Sequence, residues 1–268
     1  VFTEWPLGAN LAEAEEMADL ARSQGVLTMV GMQGRAAPAF LWLKELIDEG
    51  YVGEVVSCSM VQYRDGILSR ASSSSWQGDP ANGATTLTIL FGHAVDTLCM
   101  CLGEFREVSA TVETRVPQWH ETDTGRTVET TAPDTIMVNG TLESGAVASV
   151  QVSAVPWHAT GYRLEVHGRE GTLVLTSPEI SSIFPVRVQG GRSDDARLTE
   201  LAIPSHHFLV PDSVPEGPPF NVAQMWYRFA DGIRNGEAVA PSFDTAVTRH
   251  RLLDAVQRAS DTGQRQAL

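Results

Sequence analysis

Beyond Phe105 the apolar residues fall at every second position, and that period limits the fold more than any other feature of the sequence. Val108, Ala110 and Val112 alternate with polar neighbours, as in a strand that buries only one of its faces. The same pattern predicts strands over Thr135–Leu142, Ala146–Ser153, Tyr162–His167, Thr172–Thr176 and Pro185–Gln189. Glu143-Ser144-Gly145 and Gly168-Arg169-Glu170-Gly171 have the length and residue types of hairpin turns. Together they describe an antiparallel sheet with one polar face.

The first thirty residues follow a different rule. Val1-Phe2-Thr3 ends a strand, Glu4-Trp5-Pro6-Leu7-Gly8 forms a loop, and Asn10 caps a helix with Glu13 in the capping-box position. Leu11, Ala14, Ala18 and Ala21 mark the buried face, Gly25 closes the helix, and Val26 to Val30 is a second strand. This is one parallel βαβ unit. Ligands of open parallel sheets bind at the C-terminal strand ends, which puts Glu4-Trp5-Pro6 and Gly31 to Arg35 on one rim. A lone βα unit cannot bury both faces, so the sheet is expected to continue upstream in a longer parent or to be covered by another element. Pro38 starts the next helix, with Phe40, Leu43 and Leu46 or Ile47 inward and Lys44 as a surface charge opposite Asp48. A strand then runs to about Tyr63. Arg64 to Pro80 is read as a long rim loop pinned by Trp76. Two helices close the chain: Phe220–Asn235, with Trp226 and Tyr227 expected in the core, and Phe243–Thr262, with Ala246, His250 and Leu253 inward.

The candidate site lies in Asn82 to Gly103. Thr86, Ile89, His93 and Asp96 share one helical face, and Leu87, Leu90, Ala94 and Leu98 form the apolar face beside it. His93 reads either as a general acid or base, or as a structural histidine held by Asp96. A net charge of −14 argues against direct nucleic-acid binding. No apolar run approaches the roughly 20 residues of a membrane span. Cys58, Cys99 and Cys101 form no framework, and no basic, apolar leader opens the sequence, so a reducing, cytoplasmic location is expected. His206-His207 lacks a placed carboxylate or cysteine partner, so no metal site is expected.

Taken in order, Glu4-Trp5-Pro6-Leu7, Gly50-Tyr51-Val52-Gly53-Glu54, Gly92-His93-Ala94-Val95-Asp96, Gly168-Arg169-Glu170-Gly171-Thr172-Leu173 and the closing Phe243, Ala246, His250, Leu253, Gly263 resemble the Gfo/Idh/MocA oxidoreductase family, closest to its Gal80-like members. The resemblance covers essentially the whole chain. It implies an α/β fold: a C-terminal remnant of a Rossmann domain over residues 1–36, then over 37–268 an α/β domain with a large, open, mainly antiparallel sheet. In the family that sheet often makes the subunit contact, so a homo-oligomer is expected. The resemblance also implies NAD or NADP, a sugar-like or cyclic polyol substrate, His93 as the catalytic residue, and Glu4, Trp5, Pro6, Gln33 and Arg35 at the cofactor. Trp76 and Asp96 are the residues expected against substrate.

Three departures qualify these expectations. Trp5 stands where the family has a lysine, Ile89 stands where it often has an aspartate four residues before the histidine, and no glycine-rich phosphate loop is present. The chain is therefore expected to be a truncated member. Its function stays open between an oxidoreductase, a non-catalytic Gal80-like dinucleotide-binding sensor or regulator, and a remnant that binds no dinucleotide tightly.

Overall fold

A computed structural model describes all 268 residues. Strand β1 (Phe2–Glu4) leads through helix α1 (Leu11–Ser23) to β2 (Met29–Gly31), and the two strands pair in parallel, with Glu4 beside Gly31. Asn10 caps α1 through the Glu13 amide at 3.0 Å, and Glu13 Oε2 accepts from the Ala9 amide at 2.8 Å. Helix α2 (Pro38–Asp48) follows, ending before Gly50 at φ +75°, and Lys44 pairs with Asp48 at 2.7 Å on its exposed face.

Strand β3 (Val55–Arg64) enters the large sheet. The rim segment after it contains β4 (Ser69–Arg70) and short 3₁₀ turns. A π-helical turn over Thr86–Phe91 then runs into α3 (Gly92–Leu102). The sheet-forming half comprises β5 (Phe105–Glu113), β6 (Gln118–Glu121), β7 (Thr127–Glu129), β8 (Thr135–Leu142), β9 (Val147–Ala154), β10 (Tyr162–Gly168), β11 (Gly171–Ser177), β12 (Arg187–Arg192) and β13 (Thr199–Glu200). Helices α4 (Pro218–Asn235) and α5 (Phe243–Thr262) and strand β14 (Gln266–Ala267) complete the chain.

Nine strands form one sheet in the order β13-β12-β11-β10-β3-β9-β8-β5-β14. Every pairing is antiparallel except β3 with β9. The alternation in the sequence becomes rows across the sheet. Leu175, Leu164, Met60, Val150 and Val138 are consecutive register partners and are all buried. One residue along, Glu165, Ser59, Ser149, Asn139 and Ser109 form the parallel polar row. The π-helical turn packs on β8 and β9, α5 on β5, and α2 on β12, all against the apolar rows. The core so formed includes Trp5, Ala14 and Val30 from residues 1–36 together with the sheet and helices of residues 37–268. No helix is long and apolar enough to cross a membrane.

Two packing expectations are corrected. Trp226 and Tyr227 are 49% and 47% exposed. The buried face of α4 is Asn221, Gln224, Met225 and Phe229, and Trp226 stacks on Phe2 at 4.3 Å. Gln224 explains the rotation: its amide donates to the Ala36 carbonyl at 2.7 Å and to the His207 carbonyl at 3.1 Å, so a polar residue takes an inward position. The rim loop is pinned not by Trp76, which is 52% exposed, but by Trp119 of β6, which packs with Ile67 and Ala154. The β4-β6-β7 sheet that carries Trp119 has strands of two to four residues, too short to show a periodic signal.

Candidate functional site

A cleft of about 220 Å³ opens where the π-helical turn meets the rim segment, and His93 lies in its wall. Its local geometry begins at Thr85. The Thr85 and Thr88 side chains cap each other's backbone amides at 3.3 and 2.8 Å. From there the chain winds wider than an α-helix. The Gly92 amide bonds the carbonyls of Leu87 and Ile89 and passes over Thr88. The Thr88 carbonyl instead accepts from the Trp5 indole Nε1 at 2.7 Å. Trp5 is buried, and its indole lies so close to Gly92 that a Cβ there would sit 2.8 Å from Nε1. The π-turn thus has an identifiable cause: an indole N–H holds the carbonyl that would otherwise continue the α-helix. It delivers Thr86, Ile89, Leu90 and His93 to one cleft wall.

The expected contact between His93 and Asp96 does not form. Asp96 is 1% exposed, and its carboxylate accepts Arg35 Nε and Nη2, both at 2.7 Å, and Arg249 Nε at 3.2 Å. Arg249, itself fully buried, also clamps Glu104 with two bonds of 2.9 and 3.0 Å. Burial alone would raise the Asp96 carboxyl, but the two guanidinium groups outweigh it and hold it below its ordinary value. A permanent cation is a better partner for a buried carboxylate than a neutral imidazole, so Asp96 turns inward. His93 is left with Nδ1 buried and unpartnered, and burial pushes its pKa down to about 4 against a weaker opposing pull from Asp96.

The other predicted residues separate into three places. Gln33 lines the cleft with His93, and its Oε1 is buried without a partner. Glu4 and Pro6 stay at the C-terminal end of β1, where the Glu4 carboxylate covers Gly31 so closely that a Cβ there would lie 2.5 Å from it. Arg35 is committed to Asp96 and Trp5 to Thr88. Trp76 lies outside the cleft lining. Arg64 and Arg70 of the rim segment, which sequence reasoning passed over, line the cleft along with Gln77. Their only signal in the sequence was membership of a loop long enough to be functional. His206 and His207 do have a carboxylate partner that the sequence could not place: each Nε2 lies 3.0 Å from Glu45 Oε2 on α2.

A larger cavity of about 470 Å³, lined by Pro38, Phe184, Val186, Phe208 and Phe220, lies apart from His93 and shares only Ile183 with the cleft. Its walls hold Asp212 and Glu216 as their only charged residues. The chemistry-bearing side chains are in the smaller cleft.

The same arrangement of sheet and helices recurs in known proteins. Residues 38–177, just over half of the chain, match the family model described as Gal80p, C-terminal domain. The chain belongs to this Gal80p C-terminal-domain-like family. It is 27% identical over 275 residues to the dehydrogenase aclE of Aspergillus oryzae, covering 98% of this chain and 70% of that protein. It is 30% identical over 225 residues to the galactose/lactose metabolism regulatory protein GAL80 of Saccharomyces cerevisiae, covering 74% of this chain and 49% of that one. The solved structure of levoglucosan dehydrogenase in complex with NADH and levoglucosan matches with a TM-score of 0.85 at 23% identity, over 99% of this chain and 72% of that one. The last likeness is one of fold. The relatives therefore include both dehydrogenases and a regulator.

Proposed function

We propose that this family member is the substrate-binding and proton-transfer part of an NAD(P)-dependent oxidoreductase acting on a CH–OH group of a sugar-like or cyclic polyol. The observation that carries this reading is His93: a partly exposed, cleft-lining imidazole that burial keeps neutral above about pH 4. Such a group accepts a hydroxyl proton in one direction and returns it in the other. Thr85, Thr86 and Gln77 in the same walls supply hydrogen bonds that orient a polyol, and Ile89, Leu90 and Trp119 exclude water from the reacting carbon. Glu4, Pro6 and Gln33 stand at the nicotinamide edge. The unpartnered Gln33 Oε1 suits a carboxamide N–H, which fits that end of the cofactor. A bound nicotinamide would supply the hydride acceptor. The N-terminus of α1 does not suit a pyrophosphate, because Glu13 already occupies it with its own charge. A second copy of the chain would pack on the open sheet face, where Val56, Met137 and Val147 are exposed.

One observation favours the non-catalytic reading. His93 has no carboxylate to steady its protonated form, because Asp96 is spent on two arginines and Ile89 occupies the remaining neighbouring position. Binding without turnover is the signature of that alternative. The test is a fluorescence titration with NADH and NADPH, followed by a sugar and polyol screen with His93→Ala as control. Turnover abolished by His93→Ala supports the enzyme, and nucleotide binding without turnover supports the sensor. No binding of either nucleotide at millimolar concentration removes both readings for this chain.

A further inference from the structure

The charge in the cleft is opposite to that of the protein. The chain carries 33 acidic against 19 basic residues, yet the cleft lining contains Arg64, Arg70 and His93 and no carboxylate. Neither arginine has a carboxylate within 4.0 Å, although most arginines of this chain pair with one. Asp65, adjacent in sequence, pairs with neither. The acids of the facing loop are committed elsewhere: Glu121 accepts from Ser75, Thr124 and Arg126, and Asp123 holds both the amide and hydroxyl of Ser72.

Arg70 is the more built of the two. Its guanidinium lies over the Trp119 ring at 3.8 Å, Nη1 donates to Gln77 Oε1, and its Nε–H is buried with no acceptor. Burial, and then the charge of nearby Arg64, press its pKa down to about 10. Two cations held close together in one cleft are a costly arrangement, and an anion there would relieve it.

We infer that the cleft binds one monosaccharide-sized polyol bearing an anionic group, a carboxylate or a phosphate ester, with the anion on Arg64 and Arg70 and a hydroxyl on His93. The volume of about 220 Å³ falls below the roughly 300–1,000 Å³ of sites for drug-sized ligands, which fits a single sugar unit. Arg70, stacked on Trp119 and braced by Gln77, is a rigid fork for planar or tetrahedral oxyanions. Arg64, exposed at the mouth, steers the anion inward. The inference rests on the cleft being a substrate site, and it specifies the substrate class.

Binding is measured by calorimetry on the full chain with D-glucuronate, D-glucose 6-phosphate, D-glucose and myo-inositol, with and without NADH. At least one anionic sugar is expected to bind about tenfold or more tightly than glucose. Preference for glucuronate assigns a carboxylate substrate, and preference for glucose 6-phosphate assigns a phosphate ester. Raising the salt weakens the anion and leaves glucose unchanged. Arg70→Gln and Arg64→Gln each collapse the preference toward unity with neutral binding retained. Arg64→Gln is the control for folding because its side chain is exposed. The inference fails if glucose or inositol binds as tightly as both anions, if no anion binds at tens of millimolar, or if both variants keep the preference. Turnover is scored separately: charge preference without turnover refutes the redox reading alone, and turnover of neutral sugars without charge preference refutes the anion site alone.

Discussion

Trp5→Phe tests the cause of the π-turn. Phenylalanine keeps an aromatic ring in a buried site but removes the indole N–H that reaches the Thr88 carbonyl at 2.7 Å. Leaving that carbonyl without its donor costs about 1–3 kcal/mol, and the smaller ring adds about 1 kcal/mol of lost packing, so a loss of about 2–4 kcal/mol is expected. The turn cannot repair itself by passing the Gly92 amide to Thr88. Removing one residue from the turn would rotate α3 by about 100° and swing Asp96 away from Arg35 and Arg249. Urea unfolding reads the stability, and an NMR titration of His93 reads the site. The midpoint is expected to fall with an unchanged slope, and the His93 pKa is expected to rise from about 4 toward the ordinary value as the cleft wall loosens. A loss below about 0.5 kcal/mol with His93 titrating unchanged would refute the reasoning.

The neighbouring positions give three further tests. Gly92→Ala places a Cβ 2.8 Å from the Trp5 indole nitrogen and is expected to cost about 1–3 kcal/mol, with the pair Gly92→Ala and Trp5→Phe non-additive in a double-mutant cycle. Asp96→Asn strips the charge from between two arginines and is expected to cost about 3–5 kcal/mol in denaturant. The Asp96 carboxyl is held below its ordinary value, so its contribution is whole above about pH 4 and is lost as pH falls through its folded-state pKa. The variant should therefore lack that part of the acid limb. His93 is depressed from 6.5 to about 4, so the native protein gives up stability as pH falls from 6.5 toward 4. His93→Leu should flatten that segment of a stability-against-pH profile, and an unchanged profile would show that His93 is not held neutral by the fold.

Tryptophan at position 5, where the family resemblance implies a lysine, bears on how the site is built. A lysine there would offer a mobile charge to the cleft. Trp5 instead turns into the core, against His250 at 4.8 Å between ring centroids, and acts on His93 only through the backbone of the π-turn. The polar side chains lining the cleft include Gln33 from one segment and Arg64 and Arg70 from another. The buried Arg35–Asp96–Arg249–Glu104 array anchors α3 to α5 beneath it.

The sequence by itself determined the elements whose signal is local and repeated. The two-residue period placed β8 to its end residues and β9, β10 and β11 to within one, because one face of each strand must be apolar over its whole length. Asn10, Pro38, Gly50 and Gly103 marked helix ends because capping chemistry acts within a turn of the residue that supplies it. His93 was found on its helix by the three-and-four spacing of Thr86, Ile89, His93 and Asp96. Only the tertiary structure decided which partners those residues have. Spacing along a helix brought Asp96 near His93, but Arg35 and Arg249, 61 and 153 residues away, offered fixed positive charge and took the carboxylate. Trp5 reached Thr88 across 83 residues and rewound the helix that periodicity had drawn as regular. Arg64 and Arg70 became a charged wall only when Trp119, from a strand too short to recognise, stacked beneath one of them. Periodicity reports which face of an element is buried. The partner met on that face depends on where the chain returns in space, and long-range electrostatic and hydrogen-bond competition is settled only there.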